Sequence, residues 1–208
     1  NKPSFKTNGV SWGIPWPQGQ VKKTASFALA KADGTTVPVQ SWSMAYWPDG
    51  SIKWTGFAAV TDSTMQDGMS LKIISAKEKP AVSNTLQVND EANSVRINTG
   101  VMQCTIAKSG NLIVPSISVG GKEVATEGQL ACILQNQSDG NIESSAVKQS
   151  FLGEISKVTV EQNGPLRAVV RLNGNFKAVN GSRSFMPFIV RLYFYAGVQN
   201  IRMVHTII

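Results

Sequence analysis

Short apolar runs that alternate with turn signals constrain the fold of this chain more than any other feature. Residues 21–30, 36–47 and 52–60 are rich in apolar residues and are separated by Ala32-Asp33-Gly34 and Pro48-Asp49-Gly50-Ser51. Asp tolerates turn geometry and Gly adopts positive φ, so Xaa-Asp-Gly between apolar runs is typical of a hairpin. Similar spacing, roughly 8–12 residues, continues along the chain and is typical of barrels and sandwiches. No convincing helical stretch is present, so the sequence predicts an all-β fold.

A change in composition and hydrophobic periodicity divides the chain into two parts. Residues 77–84 are charged, contain a proline and lack periodicity, which predicts a domain boundary. The remaining strands are predicted at residues 69–76, 94–98, 101–108, 112–119, 129–134, 154–161, 166–176, 185–195 and 201–208, with a loop at 136–141. We therefore predict one domain at 1–80 and a second at 85–208. Because the chain ends inside an apolar strand, we expect the second domain to be incomplete and the missing C-terminal domains of the same protein to be its partners.

Positive charge is concentrated at the C-terminal end. Residues 1–161 hold 14 Lys and Arg and all 13 Asp and Glu, whereas residues 162–208 hold 6 Lys and Arg and no acid. A basic block of this kind attracts anionic partners. No nucleic-acid motif accompanies it, and no apolar run approaches the roughly 18 residues that span a bilayer. We expect an acidic polysaccharide as the partner, and neither nucleic acid nor a membrane.

Strand alternation places most of these arginines on one predicted face. Residues two apart in a strand point to the same side of the sheet. If the last three strands are neighbours, one face carries six candidate binding residues: Arg167, Arg171, Arg191, Arg202, Tyr193 and Tyr195. The alternative interpretation is that these arginines pair with acids in the missing remainder of the protein or simply face solvent.

No complete catalytic or metal site is evident. His205 is the only histidine, which excludes a histidine cluster, and its apolar strand favours a structural role. Cys104 and Cys132 fit no metal-ligand spacing, and we interpret them as two buried reduced thiols, with one disulfide as the alternative. The acids lie mostly in turns and offer no carboxylate pair for glycoside hydrolysis. We expect no catalytic residue, no metal and no cofactor in this chain.

Aromatic residues offer a second candidate surface. All five tryptophans lie within the first 54 residues. Exposed indole rings can stack on sugars, and Trp16 and Trp47 are the candidates for such contacts. The alternative is that the tryptophans fill the core or an interface of a small β domain.

Two stretches resemble a known family. The first contains Gly13-Ile14-Pro15-Trp16-Pro17-Gln18-Gly19, Gln40-Ser41-Trp42 and Tyr46-Trp47-Pro48-Asp49-Gly50-Ser51-Ile52-Lys53-Trp54. The second contains Gly164-Pro165-Leu166-Arg167-Ala168-Val169-Val170, Arg191-Leu192-Tyr193-Phe194-Tyr195 and Val204-His205-Thr206. Together they resemble the opening region of exo-rhamnogalacturonan lyase-like proteins, polysaccharide lyase family twenty-six and its bacterial relatives.

The resemblance implies a small RIFT-type β-barrel followed by an antiparallel β-sandwich. It also implies β-elimination on rhamnogalacturonan I, with the catalytic machinery in a later helical domain. We therefore expect a non-catalytic N-terminal region of a secreted or periplasmic lyase-like protein that acts as a scaffold and contacts glycan. An autonomous carbohydrate-binding module and a purely structural or interaction module are the alternatives.

Overall fold

The computed structural model describes residues 8–61, 72–75, 86–138 and 146–208. These residues form sixteen strands and no helix, which confirms the all-β prediction. Within them there is accordingly no helix of the length and hydropathy that a membrane crossing requires. The first six strands are β1 Asn8–Pro15, β2 Phe27–Ala30, β3 Thr36–Val37, β4 Gln40–Tyr46, β5 Ile52–Thr61 and β6 Lys72–Ser75. The other ten are β7 Gln87–Asp90, β8 Ser94–Asn98, β9 Met102–Ala107, β10 Val114–Val119, β11 Lys122–Gly128, β12 Ala131–Gln135, β13 Lys148–Asn163, β14 Arg167–Ala178, β15 Ser184–Tyr195 and β16 Arg202–Ile207.

The first domain consists of two three-stranded sheets, ordered β1-β5-β4 and β3-β2-β6. Its core is aromatic. Phe57 is fully buried, Trp12 stacks on it with ring centroids 5.7 Å apart, and Phe27 meets its edge at 5.2 Å. Aromatic pairs of this kind stabilise a core beyond the area that they bury. The small domain therefore relies on a few large rings.

The hairpin between β4 and β5 has the predicted turn. Gly50 has a φ of 80°, and Asp49 Oδ1 accepts hydrogen bonds from the backbone N–H of Ser51 (2.9 Å) and from its hydroxyl (2.6 Å). These bonds favour the ionised carboxylate and lower the pKa of Asp49. The Pro-Asp-Gly-Ser signal therefore acts locally, through its own side chains.

The second domain is a sandwich of two five-stranded antiparallel sheets, ordered β11-β10-β9-β8-β7 and β12-β13-β14-β15-β16. Side chains from both sheets meet in one buried core, among them Val95 and Ile106 from the first sheet and Val170, Phe188 and Val190 from the second. This arrangement confirms the predicted β-sandwich. The outer face of each sheet points away from this core and does not contribute side chains to it.

Several element boundaries differ from the prediction. The predicted strand at 36–47 is split, because Pro38 lacks the N–H that the ladder requires. β1, β7 and β11 were not predicted; they contain Gly, Asn, Asp, Lys and Glu, which are depleted in strands. The predicted boundary at 77–84, the start of the strand at 69–76 and part of the loop at 136–141 lie outside the described residues, and the domain limits stay a prediction.

The two cysteines differ in environment. Both are free thiols, but only Cys104 is buried, while Cys132 is half-buried, so the expectation of two buried thiols is wrong for Cys132. Cys132 lies on the edge strand β12, where one side of the ladder is open. Burial raises the pKa of Cys104 from 9.0 to about 12, because the thiolate is poorly solvated in the core.

We expect the native chain to react with one equivalent of a thiol reagent at neutral pH and with two after unfolding. Cys132→Ser should abolish the native reaction and Cys104→Ser should leave it unchanged, as measured by thiol titration. Above pH 9 the unfolded thiol loses its proton while native Cys104 keeps it up to about pH 12. Because the native state then binds more protons, the free energy of unfolding should fall as pH rises through this window. Rapid native labelling of Cys104 would contradict its burial.

Candidate functional site

The register of β14, β15 and β16 brings the six predicted residues onto one face. Arg167 pairs with Tyr195, Arg171 with Arg191, and Tyr193 with Arg202. The alternate residues, such as Ala168, Val170 and Leu192, point into the sandwich core. The surface formed by Arg167, Arg171, Arg191, Arg202, Tyr193 and Tyr195 is called the arginine–tyrosine face below. Period-two alternation and hairpin connectivity together account for its assembly.

One carboxylate neutralises part of this face. Glu161 on β13 accepts two hydrogen bonds from Arg191, one from Nε (2.8 Å) and one from Nη2 (3.1 Å). Its carboxylate also lies 3.7 Å from Arg171 Nη1. The hydrogen bonds that Arg191 donates to Glu161 raise the pKa of Arg191. Two of the four arginines therefore share an acid from this same chain, whereas the alternative interpretation places their acidic partners in the missing remainder of the protein.

The other two arginines form a row with aromatic rings. The guanidinium carbon of Arg167 lies 4.8 Å from the centre of the Trp42 ring and 5.0 Å from that of Tyr193. Arg202 also lies over the Tyr193 ring, at 5.4 Å. We call Trp42, Arg167, Tyr193 and Arg202 the stacked row. Each guanidinium in it is stabilised by the negative face of at least one ring.

The charge of Arg167 is unusually poorly compensated. Its residue surface is only 8% exposed, and its Nε has no hydrogen-bond partner. Among the residues that the structure describes, neither Arg167 nor Arg202 has an acid within ion-pair distance. Desolvation lowers the pKa of Arg167, and the positive charge of Arg202 also lowers it. Tyr195 and Tyr193 act in the opposite direction. A buried unpaired charge is costly, so the stacked row is a place where an anion would be stabilised.

The first domain supplies the other wall of the stacked row. Trp42 on β4 lies over Gly56 of β5, where a side chain would collide with its ring. The side-chain amide of Gln40 forms three hydrogen bonds with the backbone of the sandwich. Its Oε1 accepts from the N–H of Leu166 (3.1 Å) and of Arg167 (2.8 Å), and its Nε2 donates to the carbonyl of Arg167 (3.1 Å). The outer face of the sheet β1-β5-β4 therefore packs against one end of the arginine–tyrosine face.

Apolar contacts complete this domain junction. Ala58, Tyr195 and Val198 are buried together, with Trp42 and Tyr193 packed against them. Gly9 on β1 faces the Tyr195 ring so closely that an added Cβ would overlap it. Tyr195 is therefore a largely buried junction residue whose ring packs between the two domains.

A cleft of about 500 Å³ opens beside the junction. One side is formed by residues 9–11 of β1, and the other by Tyr195, Asn200, Ile201 and Arg202. Arg202 is the exposed end of the stacked row and lines this cleft. The cleft therefore has an unpaired cation on its wall and room for a small polar ligand.

Comparison with known proteins identifies both parts of this architecture. Residues 1–74 match the PcRGLX-like N-terminal RIFT barrel domain, and residues 86–208 match the PcRGLX-like protein central beta sandwich domain. The chain belongs to the PcRGLX-like family. This confirms the rhamnogalacturonan lyase-like resemblance, with its RIFT barrel and β-sandwich.

One known protein is similar to this chain over most of its length. The uncharacterized protein YetA of Bacillus subtilis (strain 168) is 35% identical over 200 residues, which are 96% of this chain and 23% of YetA. The chain therefore spans about a quarter of the length of this relative.

Trp16 and Trp47 are engaged inside the RIFT barrel. The indole N–H of Trp16 donates to Thr55 Oγ1 (2.9 Å), and its ring stacks on Phe27 at 5.7 Å. The indole N–H of Trp47 donates to the carbonyl of Trp16 (2.9 Å), with the ammonium of Lys53 4.5 Å from its ring centre. Both residues are half-buried and neither belongs to the stacked row. These packing contacts and hydrogen bonds explain the positions of both tryptophans without any contact to a sugar.

The sequence-based prediction missed Trp42 and Glu161 as members of the site. A signal for Trp42 was present, because a glycine inside a strand often marks a close approach by another group, and Gly56 lies under its ring. Glu161 is the last acid of the sequence and precedes the arginine-rich segment. Neither signal specifies the partner, since each depends on which strands become neighbours.

Proposed function

We propose that this chain is the non-catalytic N-terminal region of a secreted or periplasmic lyase-like protein, and that its arginine–tyrosine face contacts an acidic, pectin-type glycan such as rhamnogalacturonan. One observation carries the proposal: in the described residues, four arginines share this face with one carboxylate, and Arg167 and Arg202 have no acidic partner. A galacturonate residue would bring the missing negative charge.

The chemistry of both partners supports this assignment. Guanidinium groups bind carboxylates through two parallel hydrogen bonds, and the C–H faces of sugars pack on aromatic rings. Arg202 is exposed at the cleft and would contact the carboxylate directly. Arg167 is buried and would act through its position, by adding positive potential behind Tyr193. Arg171 and Arg191 share Glu161 and leave one net positive charge for a neighbouring acidic sugar.

Arg202→Ala should weaken binding of oligogalacturonate by about tenfold at low salt, which corresponds to about 1.4 kcal/mol. The loss follows from removing the exposed unpaired cation of the cleft. The matched control is Arg96→Ala, since Arg96 is an exposed arginine of the opposite sheet that pairs with Glu91 (3.4 Å). Isothermal titration calorimetry at low and high salt measures both effects. Binding by the parent chain should fall at high salt, because exposed charges are screened.

Two results would contradict this proposal. Equal affinities of Arg202→Ala and Arg96→Ala for oligogalacturonate would remove the assignment of the site. Release of unsaturated uronate by this chain alone, seen as new ultraviolet absorbance, would contradict a non-catalytic role. Fractionation of host cells would test the secreted or periplasmic location.

A scaffold role without glycan contact is the second candidate, and the packed junction favours it. Tyr195 is buried between the two domains and Gln40 ties the barrel to the sandwich backbone. A chain that binds neither oligogalacturonate nor neutral galactan at low salt would support the scaffold and exclude the glycan-contact proposal. The autonomous module with a row of tryptophans has less support, since among the five only Trp54 is exposed, at 39% of its surface.

A further inference from the structure

The outer face of the sheet β11-β10-β9-β8-β7 carries mainly uncharged polar side chains in two cross-strand rows. Strand register defines the rows. The first comprises Gln87, Asn98, Gln103 and Ser118, and the second comprises Asn89, Arg96, Thr105 and Ser116. The residues between them, such as Ile97 and Cys104, point into the sandwich core. This polar face is on the opposite side of the sandwich from the arginine–tyrosine face.

The amide side chains of this face have unused hydrogen-bonding capacity. Asn is depleted in strands, where β-branched and aromatic residues are enriched. Asn98 Oδ1 accepts from the N–H of Gly100 (2.8 Å), and the hydroxyl of Ser116 donates to Thr105 (3.2 Å). Gln87, Asn89 and Gln103 form no side-chain hydrogen bond with any residue that the structure describes. Their donors and acceptors face a shared groove and are available to a ligand.

The charges around this groove balance. Arg96, the only charged residue of the two rows, lies 3.4 Å from Glu91, and Lys108 lies 2.6 Å from Asp90. The groove over β7, β8 and β9 has a volume of about 200 Å³ and is lined by the four amide residues, by Thr105 and by the paired Arg96, with Ile97 and Cys104 between them. It is small and open, which suits one or two units of an extended chain lying on the sheet better than an enclosed ligand.

We propose that this face binds a neutral oligosaccharide through its amide side chains. Sugar hydroxyls both donate and accept hydrogen bonds, and a carboxamide offers two donors and an acceptor to them. A neutral ligand is indicated because the groove has no excess charge to attract an ion. The face carries no aromatic ring in its two rows, so binding relies on hydrogen bonds and is expected to be weak and insensitive to salt. This site is independent of the acidic-glycan site proposed above.

Titration of the ¹⁵N-labelled 208-residue chain with neutral oligosaccharides tests this site. The probes are galactotetraose, arabinotetraose and cellotetraose, with trigalacturonate as the acidic comparison. We expect one of the neutral probes to shift the backbone amide signals of residues 87–89, 96–98 and 103–105, equally at low and high salt. Gln103→Ala should weaken this binding about fivefold, the loss of one hydrogen bond. Thr126→Ala, on the exposed edge strand β11 of the same sheet, is the matched control and should bind like the parent.

Either of two outcomes would overturn the inference. The first is that no neutral probe shifts these signals at saturating concentration, or that Gln103→Ala binds like Thr126→Ala. The second is that trigalacturonate shifts them in a salt-dependent manner, which would make the ligand acidic. Because Gln103 is exposed, its replacement is not expected to unfold the chain, and Asn89→Ala provides a second variant on β7, which β8 separates from β9. Arg202→Ala should leave neutral binding unchanged, which separates this site from the arginine–tyrosine face.

Discussion

Arg167→Ala is expected to lower the free energy of unfolding by about 2–3 kcal/mol, measured by urea unfolding. The substitution removes a guanidinium that lies 4.8 Å from the Trp42 ring centre and 5.0 Å from that of Tyr193. The slot is almost closed to solvent, since Arg167 is 8% exposed, so alanine would leave a gap between two rings. The backbone bonds to Gln40 do not involve the arginine side chain and should persist.

Arg167→Met separates packing from charge. Methionine is long, unbranched and adaptable, so it should refill the slot, and it carries no charge to desolvate. We expect Arg167→Met to lie within about 1 kcal/mol of the parent stability, because volume-conserving replacements cost little. It should nevertheless bind oligogalacturonate more weakly and with a smaller salt dependence. Equal stability of the Ala and Met variants would contradict a packing role for this side chain, and unchanged glycan affinity would contradict its electrostatic role.

Gly9→Ala is expected to destabilise the chain by about 1–3 kcal/mol, although the same change in most strands stabilises it. Alanine normally restricts the unfolded chain and gains some stability at an extended position. Here the added Cβ would overlap the Tyr195 ring across the domain junction. The ring cannot easily retreat, because it is buried with Ala58 and Val198. Thermal or urea unfolding decides the sign of the effect.

Two further variants isolate the cause of this loss. Ser11→Ala changes the next residue on the same face of β1 and should stay within about 0.5 kcal/mol of the parent. In a Tyr195→Ala background, where the ring is absent, Gly9→Ala should cost nothing or become stabilising. A double-mutant cycle measures this coupling directly. Additive effects of Gly9→Ala and Tyr195→Ala would mean that the glycine is not required by the ring.

The candidate anion-binding site is formed by residues of both domains, so it depends on how the domains pack. The sandwich contributes Arg167, Tyr193 and Arg202, while the RIFT barrel contributes Trp42 and the β1 wall of the cleft. Rearrangement of the barrel against the sandwich would separate Trp42 from Arg167. Substitutions at the junction are therefore expected to alter both stability and acidic-glycan binding, whereas substitutions at Gln103 should alter neither.

Local sequence signals determined most of the secondary structure. The turn at Asp49 and Gly50 forms through its own side chains and a positive φ, so three or four residues carry the information. Alternation in β14, β15 and β16 defined which side chains share a face, because strands repeat every two residues and sequential antiparallel strands pair through short connections. The co-location of Arg167, Arg171, Arg191 and Arg202 follows from these rules. The family resemblance supplied the order of barrel and sandwich.

Tertiary structure alone decided what covers that face and which charges are neutralised. Gln40 meets the Arg167 backbone across 127 residues of sequence, and Trp42 reaches the guanidinium from the other domain. Periodicity assigns a side chain to a face of its own strand but carries no information on the surface that packs against that face. The burial of Arg167, the choice of Arg171 and Arg191 as partners of Glu161, and the polar groove around Gln103 all depend on contacts between distant segments. Such contacts arise from the packing of complete sheets, which is why the four arginines and two tyrosines could be predicted from the sequence, while Trp42, Glu161 and the role of each residue could not.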